Sequence, residues 1–310
     1  MEFLAALAQP KREAVVDPAS ARTARPPVTI RRAQPADVEI CGRVCYDAFT
    51  ALNKHHNFPP DFPSPSVAAQ VISMMFSHPK FFCVVAEQAG RIVGSNCLDE
   101  RSAIAGIGPI TIDPTAQNRS VGRQLMIAVM DRARERGFPG VRLVQAAFHN
   151  RSMSLYAKLG FDVREPLVVL QGPPIHLLPS GCSFRPAARG DLAACNALCQ
   201  RVHGHDRSGE LSEAIAHGGA RIVERDAGIT AYASTVGFFG HAVAESNADM
   251  QALLSGVDEF AGPGILLPSR NTELFRWCLH HGLRVVEPMT LMTLGLYNEP
   301  AGVFLPSILY

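Results

Sequence analysis

Residues 110–126 read ITIDPTAQNRSVGRQLM, and the rest of the chain is best understood outward from this run. The β-branched residues at its start predict a strand. Asp113, Pro114 and Thr115 end it, and in a helix from Val121 the residues Leu125, Met126, Val129, Met130 and Ala133 then recur at helical spacing. The run is therefore strand, polar turn, helix. The turn holds Gln117, Asn118, Arg119, Ser120, Val121, Gly122 and Arg123. A helix start leaves backbone N–H groups unpaired and carries partial positive charge. Small residues let an anion approach the backbone, and Arg119 and Arg123 add formal charge, a combination suited to a pyrophosphate. A plain strand-to-helix turn with a solvated arginine pair fits the same residues.

Around this run the pattern is mixed α/β. A short strand over residues 28–31 is followed by a helix from Val38, with Cys41, Cys45, Ala48 and Leu52 on one face. Residues 55–66, HHNFPPDFPSPS, read as a loop. A helix over 67–76, a hairpin over 81–95 and a strand over 104–112 interrupted by Gly106, Gly108 and Pro109 follow. Beyond the central helix come a strand (141–148), a helix (152–159) and a strand (162–170). Gln171 opens a Gly- and Pro-rich linker, after which the chain begins again. TIRRAQPADVEICGRVC from Thr29 aligns without gaps on SFRPAARGDLAACNALC from Ser183, and the Glu87 hairpin has a counterpart at Glu224. Such self-similarity points to a repeated unit. The expected organisation is a flexible extension over 1–27, a first domain over 28–170, a linker over 171–181 and a second domain over 182–310.

The bulk numbers exclude several classes. The chain has 310 residues, 47% apolar and 18% charged, with a formal net charge of +1. No global field recruits nucleic acid or an anionic membrane. No stretch approaches the roughly 20 apolar residues of a membrane helix, and residues 1–8 do not read as a secretory signal. The eight cysteines form no C-x-x-C pair, so no metal is expected. They read as small buried residues in a reducing cytoplasm.

The central run resembles the cofactor motif of the GNAT superfamily of acyl-CoA-dependent N-acetyltransferases, Q/R-x-x-G-x-G/A after an L-x-V-x-P strand end. Ile110, Ile112 and Pro114 match the strand end, and Gln117 and Gly122 the loop; Ser120 stands where the first glycine is usual. A second element follows at the expected distance. HNRSMSLYAKLGF, residues 149–161, resembles N-x-x-A/S-x-x-L-Y-x-x-x-G-F through Ser152, Leu155, Tyr156, Gly160 and Phe161, with Asn150 one residue late.

The resemblance implies two tandem GNAT-like domains, each a twisted, largely antiparallel sheet flanked by helices. It implies acetyl-CoA as cosubstrate and a small-molecule or peptide amine as acceptor. Ile110, Ile112, Gln117, Asn118, Arg119, Ser120, Val121, Gly122, Arg123 and Asn150 would hold acetyl-CoA. Tyr156 would be the general acid, and Glu100 the first candidate for the base, with Asp99 and His149 as alternatives. The 55–66 loop would help shape the acceptor site. The second domain, with AESNADMQ over 244–251 in place of the basic turn, is expected to have lost the site. It would then support the first, help form the acceptor cleft or offer a homodimer surface. A non-catalytic acetyl-CoA sensor is the competing reading.

Overall fold

The first repeat is anchored by one arginine. In the computed structural model, which describes residues 27–117, 120–226 and 228–309, strand β1 (Val28–Arg32) leads through a short 3-10 turn into α1 (Val38–His56). Arg31 holds Asp37 at 2.7 Å and Glu87 at 2.8 Å, and Asp37 accepts the Gln34 N–H at the turn. The arrangement recurs where the sequence repeats. Strand β8 (Ser183–Pro186) leads into α5 (Leu192–His203), with Arg185 holding Asp191 and Glu224, each at 2.7 Å. The cysteines spaced four apart, Cys41 with Cys45 and Cys195 with Cys199, are buried on α1 and α5, and all eight cysteines are free.

After α1 the first half continues through α2 (Pro65–Ser77), β2 (Phe81–Gln88), β3 (Arg91–Asp99), β4 (Ala105–Ile107) and β5 (Thr111–Ile112). It ends with α3 (Val121–Glu135), β6 (Gly140–Ala146), α4 (Asn150–Lys158) and β7 (Asp162–Gln171). The second half adds α6 (Ser208–Ala216), β9 (Arg221–Arg225), β10 (Gly228–Ala233), β11 (Ala242–Ala244) and α7 (Asn247–Ser255). It then adds β12 (Ile265–Pro268), α8 (Thr272–His280), β13 (Arg284–Gly295) and β14 (Val303–Leu305). Among the described residues the named strands pair antiparallel except β4 with β6, and Gly237 makes an isolated parallel bridge to Ala261. The apolar stripe of α3 (Val121, Leu125, Met126, Val129, Met130 and Ala133) is buried against β2 and β3; burying each large member contributes roughly 1.5–3 kcal/mol. Residues 55 and 56, read as loop, instead complete α1, which ends at Asn57 in the left-handed conformation. Among the described residues no helix is long and apolar enough to cross a membrane.

The sheets do not follow the halves of the chain. One sheet runs β1-β2-β3-β4-β6-β13-β7-β12 with β5 beside β3; the other runs β14-β11-β10-β9-β8. The last long strand of the second half, β13, thus lies between β6 and β7 of the first, and β7 reaches across to pair with β12. Each half has exchanged its closing strand with the other. Local periodicity cannot show such an exchange, because a swapped strand has the same alternation as an unswapped one. The halves also meet through the β3–β4 loop. A Cβ on Gly209 would lie 1.9 Å from the Arg101 carbonyl oxygen, so α6 starts directly against that loop, and the Arg101 guanidinium bridges Asp99 at 2.6 Å and Glu213 at 3.4 Å.

Candidate active site

The parallel pairing of β4 with β6 opens a gap in the sheet. Strands β4 and β6 pair at Ala105↔Val141 and Gly106↔Arg142 and then part. The register against β3 explains how. Leu98 faces Ile107 and Ser95 faces Thr111, so two residues of β3 are spanned by three residues, 108–110, on the facing strand. The extra residue at Gly108-Pro109-Ile110 is a bulge, which turns β5 away from β6. Among the described residues no strand lies on the other side of β5. Its outer edge therefore presents backbone hydrogen-bonding groups to the gap, an edge that a bound extended chain can pair with.

The gap ends on the N-terminus of α3. Ser120 takes the N-cap position with φ +61°, and its side chain makes no capping hydrogen bond. The amides of the first helical turn therefore keep their anion-binding capacity. A Cβ on Gly122 would lie 2.9 Å from Ile112 Cδ1 and 3.4 Å from Leu155 Cδ2, so this glycine lets the start of α3 sit directly on β5 and α4. Gln117 accepts a hydrogen bond from Arg151 at 3.2 Å, and Arg123 is exposed on the first turn. Asn118 and Arg119 lie outside the described residues. Left-handed backbone at Ser120 explains why glycine is usual there: an L-residue in this conformation costs about 1–2 kcal/mol, most for a β-branched one. Ser120→Val is accordingly expected to be less stable than Ser120→Gly by about 1–2 kcal/mol, measured by thermal unfolding; equal stability would contradict the left-handed cap.

Tyr156 is buried on α4, with its ring centroid 6.2 Å from that of Phe161. Burial raises its phenol above the usual range, so it stays protonated at neutral pH. Asn150 is exposed and is the first residue of α4; the cap itself is His149, half-buried at the end of β6. Burial and the nearby Arg151 and His56 lower the His149 imidazole, so it is neutral at pH 7. Cap-to-cap correspondence extends the repeat to α4 and α8. Asn271 caps α8 as His149 caps α4, which sets Gly282 opposite Gly160 and Cys278 opposite Tyr156.

Glu100 stands apart from these groups. It accepts from Arg132 Nε at 2.7 Å and Arg132 Nη2 at 3.2 Å, in the last turn of α3 and away from the helix start that faces the gap. Asp99 is held by Arg101. The structure thus brings Ile110, Ile112, Ser120, Val121, Gly122 and Arg123 to one wall and the end of the gap, sets His149 just beyond β6 on the other side, buries Tyr156 on α4 in the core beneath α3, and leaves Glu100 and Asp99 in ion pairs.

Residues 49–161 match the acetyltransferase (GNAT) family, and they include the splayed strands, the helix start and Tyr156. The mycothiol acetyltransferase of Nocardia farcinica is 40% identical over 63 residues, 20% of this chain and 21% of that protein; the match spans about a fifth of that relative's length. Two solved structures share the fold over most of both chains. One is a Pyrococcus horikoshii protein classed as an acetyltransferase (TM-score 0.70, 18% identity, 89% of this chain and 92% of that one). The other is a tandem GNAT protein from the clavulanic acid biosynthesis pathway (TM-score 0.54, 14% identity, 87% and 98%).

The corresponding part of the second half differs from the first-half gap at its strand edge, its helix start and its cap. Strand β14 pairs with β11 at Ala242↔Leu305, Val243↔Phe304 and Ala244↔Val303, covering the edge that β5 leaves free. The Ser246 side chain caps α7 by accepting the Asp249 N–H at 3.2 Å. Asn271 Nδ2 donates to Asn247 Oδ1 at 2.7 Å, joining the starts of α8 and α7.

Proposed function

We propose that the protein is an N-acetyltransferase that moves the acetyl group of acetyl-CoA to a primary amine of a small molecule or peptide, using one site in its first half. The observation that carries this reading is the free outer edge of β5 running onto the uncapped start of α3. The pantetheine arm pairs along β5 around Ile110 and Ile112, and the pyrophosphate rests on the amides of Ser120, Val121 and Gly122 with Gln117, Asn118, Arg119 and Arg123 around it. With the Gly108 N–H bonded to the Cys97 carbonyl at 2.9 Å and Pro109 lacking an N–H, the Ile110 N–H is the bulge donor that receives the thioester carbonyl as it takes up charge. His149, at the cap where the family places asparagine, takes the arm's far side in place of Asn150. Tyr156 protonates the departing thiolate. The second half, with its edge covered by β14, its helix start capped and Cys278 in the place of Tyr156, takes no acetyl-CoA and completes the first.

The test is a spectrophotometric assay of free CoA thiol. Thiol release that requires a primary amine, with the acetylated amine identified by mass, supports the transferase. Tight acetyl-CoA binding with no turnover across a broad amine panel would favour a non-catalytic sensor.

A further inference from the structure

Glu287 is a carboxyl group that the fold buries and leaves without a donor. It is 6% exposed, and among the described residues it has no hydrogen-bond or ion-pair partner. It lies on β13, the strand that the second half inserts beside β6. Met289 faces Ala146, and the ladder continues one step further, with the Ala147 N–H donating to the Pro288 carbonyl at 3.0 Å. Two residues along each strand, Glu287 comes level with Phe148. Residues opposite one another in an antiparallel pair share a face, and this is the face on which Met289 and Ala146 pack together, not the α3 face, where Met292 belongs.

The α1–α2 loop closes over that place. Phe58 stacks on Phe148 with centroids 4.2 Å apart, and His56 lies 5.0 Å from the same ring. Asn53 Nδ2 fixes the loop by donating to the Pro59 carbonyl at 2.8 Å, and Asp61 follows, close enough to Glu287 to act on its charge. A buried carboxyl without a donor, a second carboxyl nearby and stacked rings level with the first together suit a cation with an apolar body. We infer that Glu287, delivered by the swapped strand, is the residue that receives the amine in the first-half site, and that the acceptor is a primary ammonium on an apolar or aromatic body with no carboxylate next to it.

This rests on the acetyltransferase reading and names its acceptor class and base. Burial, and secondarily Asp61, raise the Glu287 carboxyl to about 8, and burial raises Asp61 to about 6. Perturbed carboxyls of this kind mark sites that exchange protons near neutrality. The Glu287 carboxylate takes one proton from the ammonium, leaving a neutral nitrogen whose lone pair forms the new C–N bond to the thioester carbon. The carbonyl electron pair moves to oxygen and returns as the C–S bond breaks. The thiolate takes a proton from Tyr156, the second N–H proton restores the phenol, and Glu287 releases its proton to solvent. The net products are the amide, CoA thiol and one proton.

The probes are phenethylamine and phenylalanine, the same body without and with a carboxylate. Wild type is expected to acetylate phenethylamine with a kcat/KM at least about tenfold above that for phenylalanine, since like charges in a site of low dielectric repel by at least that factor. The pH profile for phenethylamine should rise through about pH 8, because the base acts only when ionised. The charged group that acts on it is Asp61 on the loop; His56 and Phe58 flank Phe148 opposite it, and β7 presents Val168 and Val169. Glu287→Gln should lower kcat/KM about 10²-fold or more and remove that limb, with acetyl-CoA binding by titration unchanged; Asp61→Asn should reduce the preference for phenethylamine. A Glu287→Gln enzyme with wild-type kcat/KM overturns the assignment, as does equal use of the two amines. Failure of wild type to acetylate either while it binds acetyl-CoA overturns the acceptor class and leaves the acetyltransferase reading standing. Absence of acetyl-CoA binding overturns both.

Discussion

Tyr156→Phe is expected to lower kcat about 10²–10³-fold while leaving acetyl-CoA affinity within about twofold, the range for loss of one general acid. The substitution removes one oxygen and keeps the ring. The packing of α4 on Phe161 and the surrounding core therefore persists, and thermal unfolding should match wild type. What is lost is a phenol that burial keeps protonated. The departing thiolate forms in the same apolar surroundings, which raise its affinity for a proton, so the missing donor is felt where charge appears on sulfur. Single-turnover and steady-state thiol release decide the matter. An unchanged kcat would make Tyr156 a packing residue, as its place among Leu125, Leu143 and Phe161 in the core also permits.

Gly122→Glu is expected to weaken acetyl-CoA binding by about 10²–10³-fold. A carboxylate within about 4–5 Å of a bound phosphate repels it by about 3–4 kcal/mol at the effective dielectric of a partly buried site. Gly122→Ala should bind nearly as well as wild type, because the atoms its Cβ meets are the tips of the Ile112 and Leu155 side chains, which can move. A charge next to Ile112 and Leu155 also strains the fold, so Arg123→Glu serves beside it. Arg123 is exposed on the same turn, its reversal leaves packing intact, and a loss of about tenfold is expected for one surface charge near a phosphate. Wild-type affinity in Gly122→Glu and Arg123→Glu together would remove the pyrophosphate from the start of α3.

Much of this architecture is legible in the sequence because it is local. The strand, turn and helix of residues 110–126 follow from composition and period, and the repeat at Arg31/Asp37 and Arg185/Asp191 encodes an ion pair made within six residues. What local reading misses is what depends on partners far along the chain. Glu100 looks free at a strand end until Arg132 is brought to it from the last turn of α3. His149 looks like a displaced residue in a motif until the helix start shows it to be the cap. Glu287 sits in a run of ordinary alternation, and only the exchange of β13 and β7 carries it to the end of β6. Nothing near the C-terminus announces that residues 303–305 cover the edge of β11.

One acetyl-CoA site per chain, in its first half, is expected. Isothermal titration of acetyl-CoA into the full chain tests it most directly. One equivalent per chain is expected, abolished by Gly122→Glu with Arg123→Glu. Two equivalents would show that the second half binds despite β14 and the Asn247–Asn271 hydrogen bond, and no binding would remove acetyl-CoA from the account altogether.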